Sequence, residues 1–148
     1  MEFFVYSIQA IEAIRPHEEP NVIISIRTPG APMARIRRGP QTRDILFMAF
    51  PDLDENYRAL PAGEKRYNDG ALFDEDDAKE ILAFVDLHKN HIESIIVHCE
   101  GGMSRSPGVA AALSKLLTGD DTRFFKSKTP NMLVYSTLIK VGLGPMVG

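Results

Sequence analysis

Ser94-Ile95-Ile96-Val97-His98-Cys99-Glu100-Gly101-Gly102-Met103-Ser104-Arg105-Ser106-Pro107 is the stretch that decides how this chain folds. Ser94 to His98 is β-branched and apolar, too short for a helix, and reads as a buried strand. Glycines at 101 and 102 then turn the chain. From Arg105 onward Val109, Ala112, Leu113, Leu116 and Leu117 form an apolar stripe at helical spacing, with Pro107 confined to the first turn and Gly119 as the stop. A strand ending in a thiol, a glycine turn and an arginine opening a helix gather backbone N–H groups, a helix dipole and one guanidinium around a single point. That point suits a phosphate. Glu100, Gly101, Gly102, Met103 and Ser104 supply the amides, and Arg105 forks two oxygens. The same field stabilises a thiolate, so Cys99 reads as a nucleophile. A cysteine that merely packs in a core needs neither paired glycines nor a following arginine. Ser106 is placed to donate to the sulfur, and His98 to brace the loop through backbone hydrogen bonds.

Working outward, Phe3 to Ile8, Asn21 to Ile26 and Ile45 to Phe50 are three further short apolar runs of strand character. Their near-continuous apolarity suits a sheet covered on both faces. Asp74 can cap a helix with an acidic first turn, Ala78, Ile81, Leu82 and Val85 on one face, and His88 and Lys89 at its end. Thr129-Pro130-Asn131 resembles a cap followed by a first-turn proline, opening a last helix that runs to about Lys140, ahead of Gly142 and Gly144. The fold class expected is α/β, a single-domain sandwich over 1–148 with a central, mostly parallel sheet flanked by helices. Two long loops remain, Arg27 to Arg43 and Pro51 to Gly70, and loops of that length often border functional sites.

At 148 residues, with 44% hydrophobic and 25% charged residues, the composition is that of one ordinary globular domain. The net charge of −3 excludes a broad basic surface for nucleic acid, so no nucleic-acid partner is expected. Apolar runs fall short of the ~18 residues that a membrane span needs, and Met1-Glu2-Phe3-Phe4 lacks the basic flank of a signal peptide. A cytoplasmic protein without membrane contact is the expectation. Cys99 is the single cysteine, so no internal disulfide can form.

The pattern His98-Cys99, five residues, Arg105-Ser106 resembles the signature of the protein tyrosine phosphatase superfamily, in particular its compact dual-specificity and bacterial or viral tyrosine-phosphatase-like branch. The likeness runs over residues 44 to 117. It implies a protein-tyrosine or dual-specificity phosphatase in which Cys99 attacks phosphorus in line and forms a cysteinyl-phosphate that water then hydrolyses. No metal or cofactor is implied. The family uses an aspartic acid on a loop to protonate the leaving group, and Asp52, in Phe50-Pro51-Asp52-Leu53-Asp54-Glu55, matches that position best. Asn56 to Phe73 then reads as an insertion, and Asp54 and Asp69 stay as alternative acids.

The expected partner is a phosphorylated protein or peptide, because phosphoinositide phosphatases of the superfamily tend to carry lysines in the loop where this chain has Glu100. Arg35, Arg37 and Arg38, near Arg27 and Arg43, are candidates to recognise acidic or multiply phosphorylated substrate, or else a solvated run. The competing readings are a phosphate-binding module without turnover, an RNA 5′-triphosphatase, and a sulfur carrier or arsenate reductase. The last generally recruits additional thiols, which this chain lacks.

Overall fold

The four apolar runs pair into one sheet whose strands all point the same way. The computed structural model describes residues 1–144, with β1 (Glu2–Tyr6), β2 (Asn21–Arg27), β3 (Thr42–Ala49) and β4 (Ser94–His98) arranged β1-β4-β2-β3. Every neighbouring pair is parallel, so the fold is a single-domain α/β sandwich of the kind the patterning predicts. Parallel strands must be joined by crossovers. The first is α1 (Ile8–Ala13), the second an extended segment between β2 and β3. The third holds α2 (Glu55–Arg58), two single turns of tighter helix at Ala62–Glu64 and Asp69–Ala71, and α3 (Glu75–His88). After β4 come α4 (Arg105–Thr118), α5 (Thr122–Ser127) and α6 (Met132–Leu143).

Successive strand residues face opposite layers. Val22, Ile24, Ile26, Ile95 and Val97 join Ile81, Val85, Val109, Leu113, Val134 and Leu138 in the main core, under α3, α4 and α6. Ile23, Ile45 and Ile96 face the other way, onto Ile11 of α1 and onto Ala34 and Ile36 of the extended segment. The central strands are thus buried on both faces, which is why they show no alternation in sequence. All five residues of β4 are buried, so the strand delivers Cys99 at a fixed point.

Three boundaries differ from those expected. The first apolar run stops being strand at Tyr6, because the Ser7 hydroxyl accepts from the Ala10 amide and caps α1, taking Ile8 into the helix. That helix is too short to announce itself by periodicity, and α5 escaped for the same reason. The last helix is capped by Asn131, whose side-chain oxygen accepts from the Val134 amide at 3.1 Å, so Pro130 lies outside it. Gly142 lies inside α6, where an added Cβ would stand 2.5 Å from a Leu116 methyl carbon, and Gly144 is its C-cap. Asp74 does cap α3, in a reciprocal box with Asp77.

Candidate active site

The loop after β4 is held by its carbonyls. The Glu100 carbonyl accepts from the Ile8 amide at 3.0 Å, that of Met103 from Thr129 at 3.0 Å, and that of Ser104 from Gly108 and Asn131, each at 2.9 Å. In a planar trans peptide the following N–H points away from the carbonyl. Tying these three carbonyls outward to the scaffold therefore turns the amides of Gly101, Ser104 and Arg105 toward the inside of the loop. The Gly102 amide reaches the Cys99 sulfur at 3.2 Å, and the Ser106 hydroxyl lies 3.1 Å from it on the other side. Both can donate to a thiolate.

Of the two glycines, only Gly102 uses its freedom. It has φ +70°, and a Cβ there would lie 2.8 Å from the Ser7 nitrogen and 2.9 Å from the Tyr6 carbonyl carbon, whereas a Cβ on Gly101 would meet nothing within 4 Å. Gly102→Ala is accordingly expected to cost about 2 kcal/mol or more of stability, from left-handed backbone plus the clash, and to abolish phosphate binding. Gly101→Ala should be tolerated. Urea unfolding and phosphate competition on the two variants check the contrast.

Arg105, 4% exposed, is anchored from one side only. Its Nη1 donates to the Phe50 carbonyl at 2.9 Å and to the Thr28 hydroxyl at 3.1 Å. Nη2 lies 3.8 Å from a Glu100 carboxylate oxygen, and the buried Nε has no partner among the described residues. A buried guanidinium nitrogen without a partner is costly. Nη1 thus fixes the plane of the guanidinium, Glu100 is a distant ion partner of Nη2, and the unpartnered Nε is the donor that an anion oxygen would satisfy.

His98 is buried and its ring joins two elements. Nδ1 faces the Cys99 carbonyl at 3.3 Å, which can only accept, so Nδ1 carries the proton. Nε2 then accepts from the Ser25 hydroxyl at 2.6 Å, tying the end of β4 to β2. Burial lowers the His98 pKa below the ordinary 6.5, despite the Cys99 bond. The folded protein therefore binds a proton at His98 less readily than the unfolded chain. This contribution to stability is present above 6.5 and is lost as pH falls through the folded value. His98→Gln should flatten that acid slope, as read by denaturant unfolding across a pH series.

Of the candidate acids, Asp52 is the one the structure brings to the loop. One of its oxygens, Oδ1, accepts from the Ser104 hydroxyl at 2.7 Å and from the Asn131 amide nitrogen Nδ2 at 2.9 Å. Asp54 is employed elsewhere, since its carboxylate caps α2 by accepting from the Asn56 amide at 3.0 Å. Asp69 lies in the second tight turn, and its side chain is outside what the structure describes. The supposed insertion from 56 to 73 is folded: Tyr57 is buried and donates to the Tyr67 carbonyl at 2.9 Å, while Leu72 and Phe73 enter the core.

The arginine-rich segment divides in two. Thr28 touches Arg105, and Arg27 donates to the Ala31 carbonyl at 2.6 Å, so this end borders the site. Beyond it the chain crosses the sheet face, with the Arg35 amide on Glu12, and Arg37 lines a small cavity with Arg15, His17, Asn21 and Thr42 at the opposite ends of the strands. Arg37 is therefore remote from Cys99. Three residues of the site carried no sequence signal as such: Thr28, Ser25 and Asn131. Only Asn131 had a trace, as part of a capping triplet.

What fold and loop define together is a class. The chain has the fold of the dual-specificity and tyrosine phosphatases. More particularly, it superposes on human DUSP28 with a TM-score of 0.61 at 16% identity, covering 98% of this chain and 94% of that one. It also matches Tk-PTP, solved in its active form, with a TM-score of 0.53 at 14% identity over 93% of this chain and 89% of the other. The likeness is one of fold. It extends over β1, β2 and the last helices, well beyond the span that the sequence resemblance covers. No protein-family model matches the chain, and no curated protein does. Among the described residues, no helix is long and apolar enough to cross a membrane.

Proposed function

We propose that this chain is a cysteine-dependent protein phosphatase that hydrolyses phosphotyrosine, and also phosphoserine and phosphothreonine, through a cysteinyl-phosphate. The observation that carries the reading is the buried, unpartnered Nε of Arg105, in the same loop as a thiol within hydrogen-bond distance of the Gly102 amide and the Ser106 hydroxyl. In the first step the Cys99 thiolate forms an S–P bond as the P–O ester bond breaks, and Asp52 gives its proton to the departing oxygen. The loop amides and Arg105 hold the transferring oxygens. In the second step water attacks phosphorus and returns a proton to Asp52, and the S–P bond breaks. The emerging thiolate is then stabilised by the Ser106 hydroxyl and the Gly102 amide. A reaction run by one free thiol suits a reducing compartment such as the cytoplasm.

The test is phosphate release from phosphotyrosyl and phosphoseryl peptides with a chelator present. Metal-independent release supports the reading. Binding of the phosphopeptide without release, even from an activated aryl phosphate, favours the module without turnover. Asp52→Asn should lower turnover about 10²–10⁴-fold on an aryl phosphate with a poor leaving group, and less on an activated one. Equal losses on both would move the acid role elsewhere.

A further inference from the structure

Asn131 sits at the start of α6, far along the chain from both Cys99 and Asp52, yet it touches both the phosphate loop and the Asp52 loop. Its backbone amide donates to the Ser104 carbonyl of the phosphate loop at 2.9 Å. Its side-chain nitrogen donates to Asp52 Oδ1 at 2.9 Å and to the Leu53 carbonyl at 3.2 Å, while its side-chain oxygen accepts from the Val134 amide and caps α6. The residue is 7% exposed. Gly108 lets α4 approach this point, since a Cβ there would stand 2.9 Å from the Asn131 carbonyl oxygen.

We propose that Asn131 is a positioning residue for the general acid: it clasps the Asp52 loop onto the phosphate loop and fixes which carboxylate oxygen delivers the proton. The inference rests on the phosphatase reading and goes beyond it. Oδ1 of Asp52 takes two donated hydrogen bonds, from Ser104 and Asn131, and is thereby committed as an acceptor. The proton is left to Oδ2, which has no partner among the described residues and is free to face the leaving group. The Leu53 contact adds a second point of attachment, so the loop is held by main chain as well as by the carboxylate. Asn is suited to this place because its side chain accepts at one atom and donates at the other. The accepting half caps the helix, and the donating half holds the acid.

That division of labour makes the inference separable from a purely structural role. Asn131→Ser and Asn131→Asp both keep a good N-cap for α6, and neither can donate to Asp52 and Leu53 as the amide does. If Asn131 only capped the helix, Asn131→Ser would behave as wild type, whereas Asn131→Asp sets a second carboxylate beside Asp52 and is read through the Asp52→Asn background. Both are instead expected to lose about 10- to 10²-fold in kcat on an aryl phosphate with a poor leaving group, and markedly less on an activated one. In an Asp52→Asn background the same substitutions should have no further effect, because the acid they position is already gone. Amide hydrogen exchange supplies a readout without turnover: exchange at Leu53 to Asn56 should rise in both variants, while that of α6 stays as in wild type.

Unchanged exchange together with unchanged leaving-group dependence overturns the clasp and leaves the phosphatase reading intact. Losses in the Asn131 variants that add fully to those of Asp52→Asn also overturn it, since they would not pass through the acid. A wild-type protein that releases no phosphate from any ester overturns the phosphatase reading itself, and with it the role assigned to Asn131.

Discussion

Cys99→Ser is expected to reduce phosphate release from any aryl phosphate by at least about 10⁴-fold while leaving phosphate binding in place. The argument is one of chemistry rather than shape. A hydroxyl at residue 99 keeps the position at the end of β4, and the Gly102 amide and Ser106 hydroxyl would still face it. The loop carbonyls stay tied to Ile8, Thr129, Gly108 and Asn131, so the inward amides and the unpartnered Nε of Arg105 persist. What disappears is the sulfur nucleophile, and a serine in its place has no adjacent general base to take its proton. His98 cannot serve: its Nε2 is occupied by Ser25 and its Nδ1 by the Cys99 carbonyl. The measurement is release under chelator alongside phosphate competition for a fluorescent aryl phosphate. Release that survives the substitution would remove Cys99 from the mechanism, whereas loss of binding together with release would make the thiol a structural part of the loop.

Much of this was legible because the relevant signals are local. The strand, the glycine turn and the helix that opens at Arg105 follow one another without interruption, so their spacing alone brings a thiol and a guanidinium into one loop. The same holds for α3, whose cap at Asp74 and apolar face are contained in a single stretch. What stayed hidden depends on contacts between remote segments. Gly102 and Gly101 are identical letters, and only the approach of Tyr6 at the end of β1 and Ser7 at the cap of α1 tells them apart. Asp52 and Asp54 are the same letter two positions apart, and they are sorted by what each meets: Ser104 and Asn131 for the first, the start of α2 for the second. The run of arginines reads in sequence either as a recognition patch or as a solvated run. Its apolar interleaving, Ala34 and Ile36 on the sheet, in fact carries Arg37 away to the far ends of the strands.

Arg105→Lys is expected to lower kcat about 10³-fold with a smaller change in KM, although it preserves the charge. In the native site the guanidinium performs two tasks with different edges. Nη1 satisfies the Phe50 carbonyl and the Thr28 hydroxyl, and under the proposed mechanism Nε with Nη2 would take the phosphoryl oxygens. An ammonium is a single point of charge on a flexible stem and cannot do both. If it turns to Phe50, the phosphoryl oxygens lose a bidentate donor. If it turns to the phosphate, the buried Phe50 carbonyl is left unpaired at a cost of about 1–3 kcal/mol. The loss should fall mainly on kcat, because oxygens that spread and gain charge in the transition state profit most from a preset fork. The Glu100 carboxylate near Nη2 sharpens the difference, since the flexible ammonium can be drawn toward it and away from substrate. Steady-state kinetics on one aryl phosphate, together with urea unfolding, separates these effects. A variant that raises KM alone would mean that Arg105 binds ground and transition states equally, and its part in the chemical step would then have to be given up.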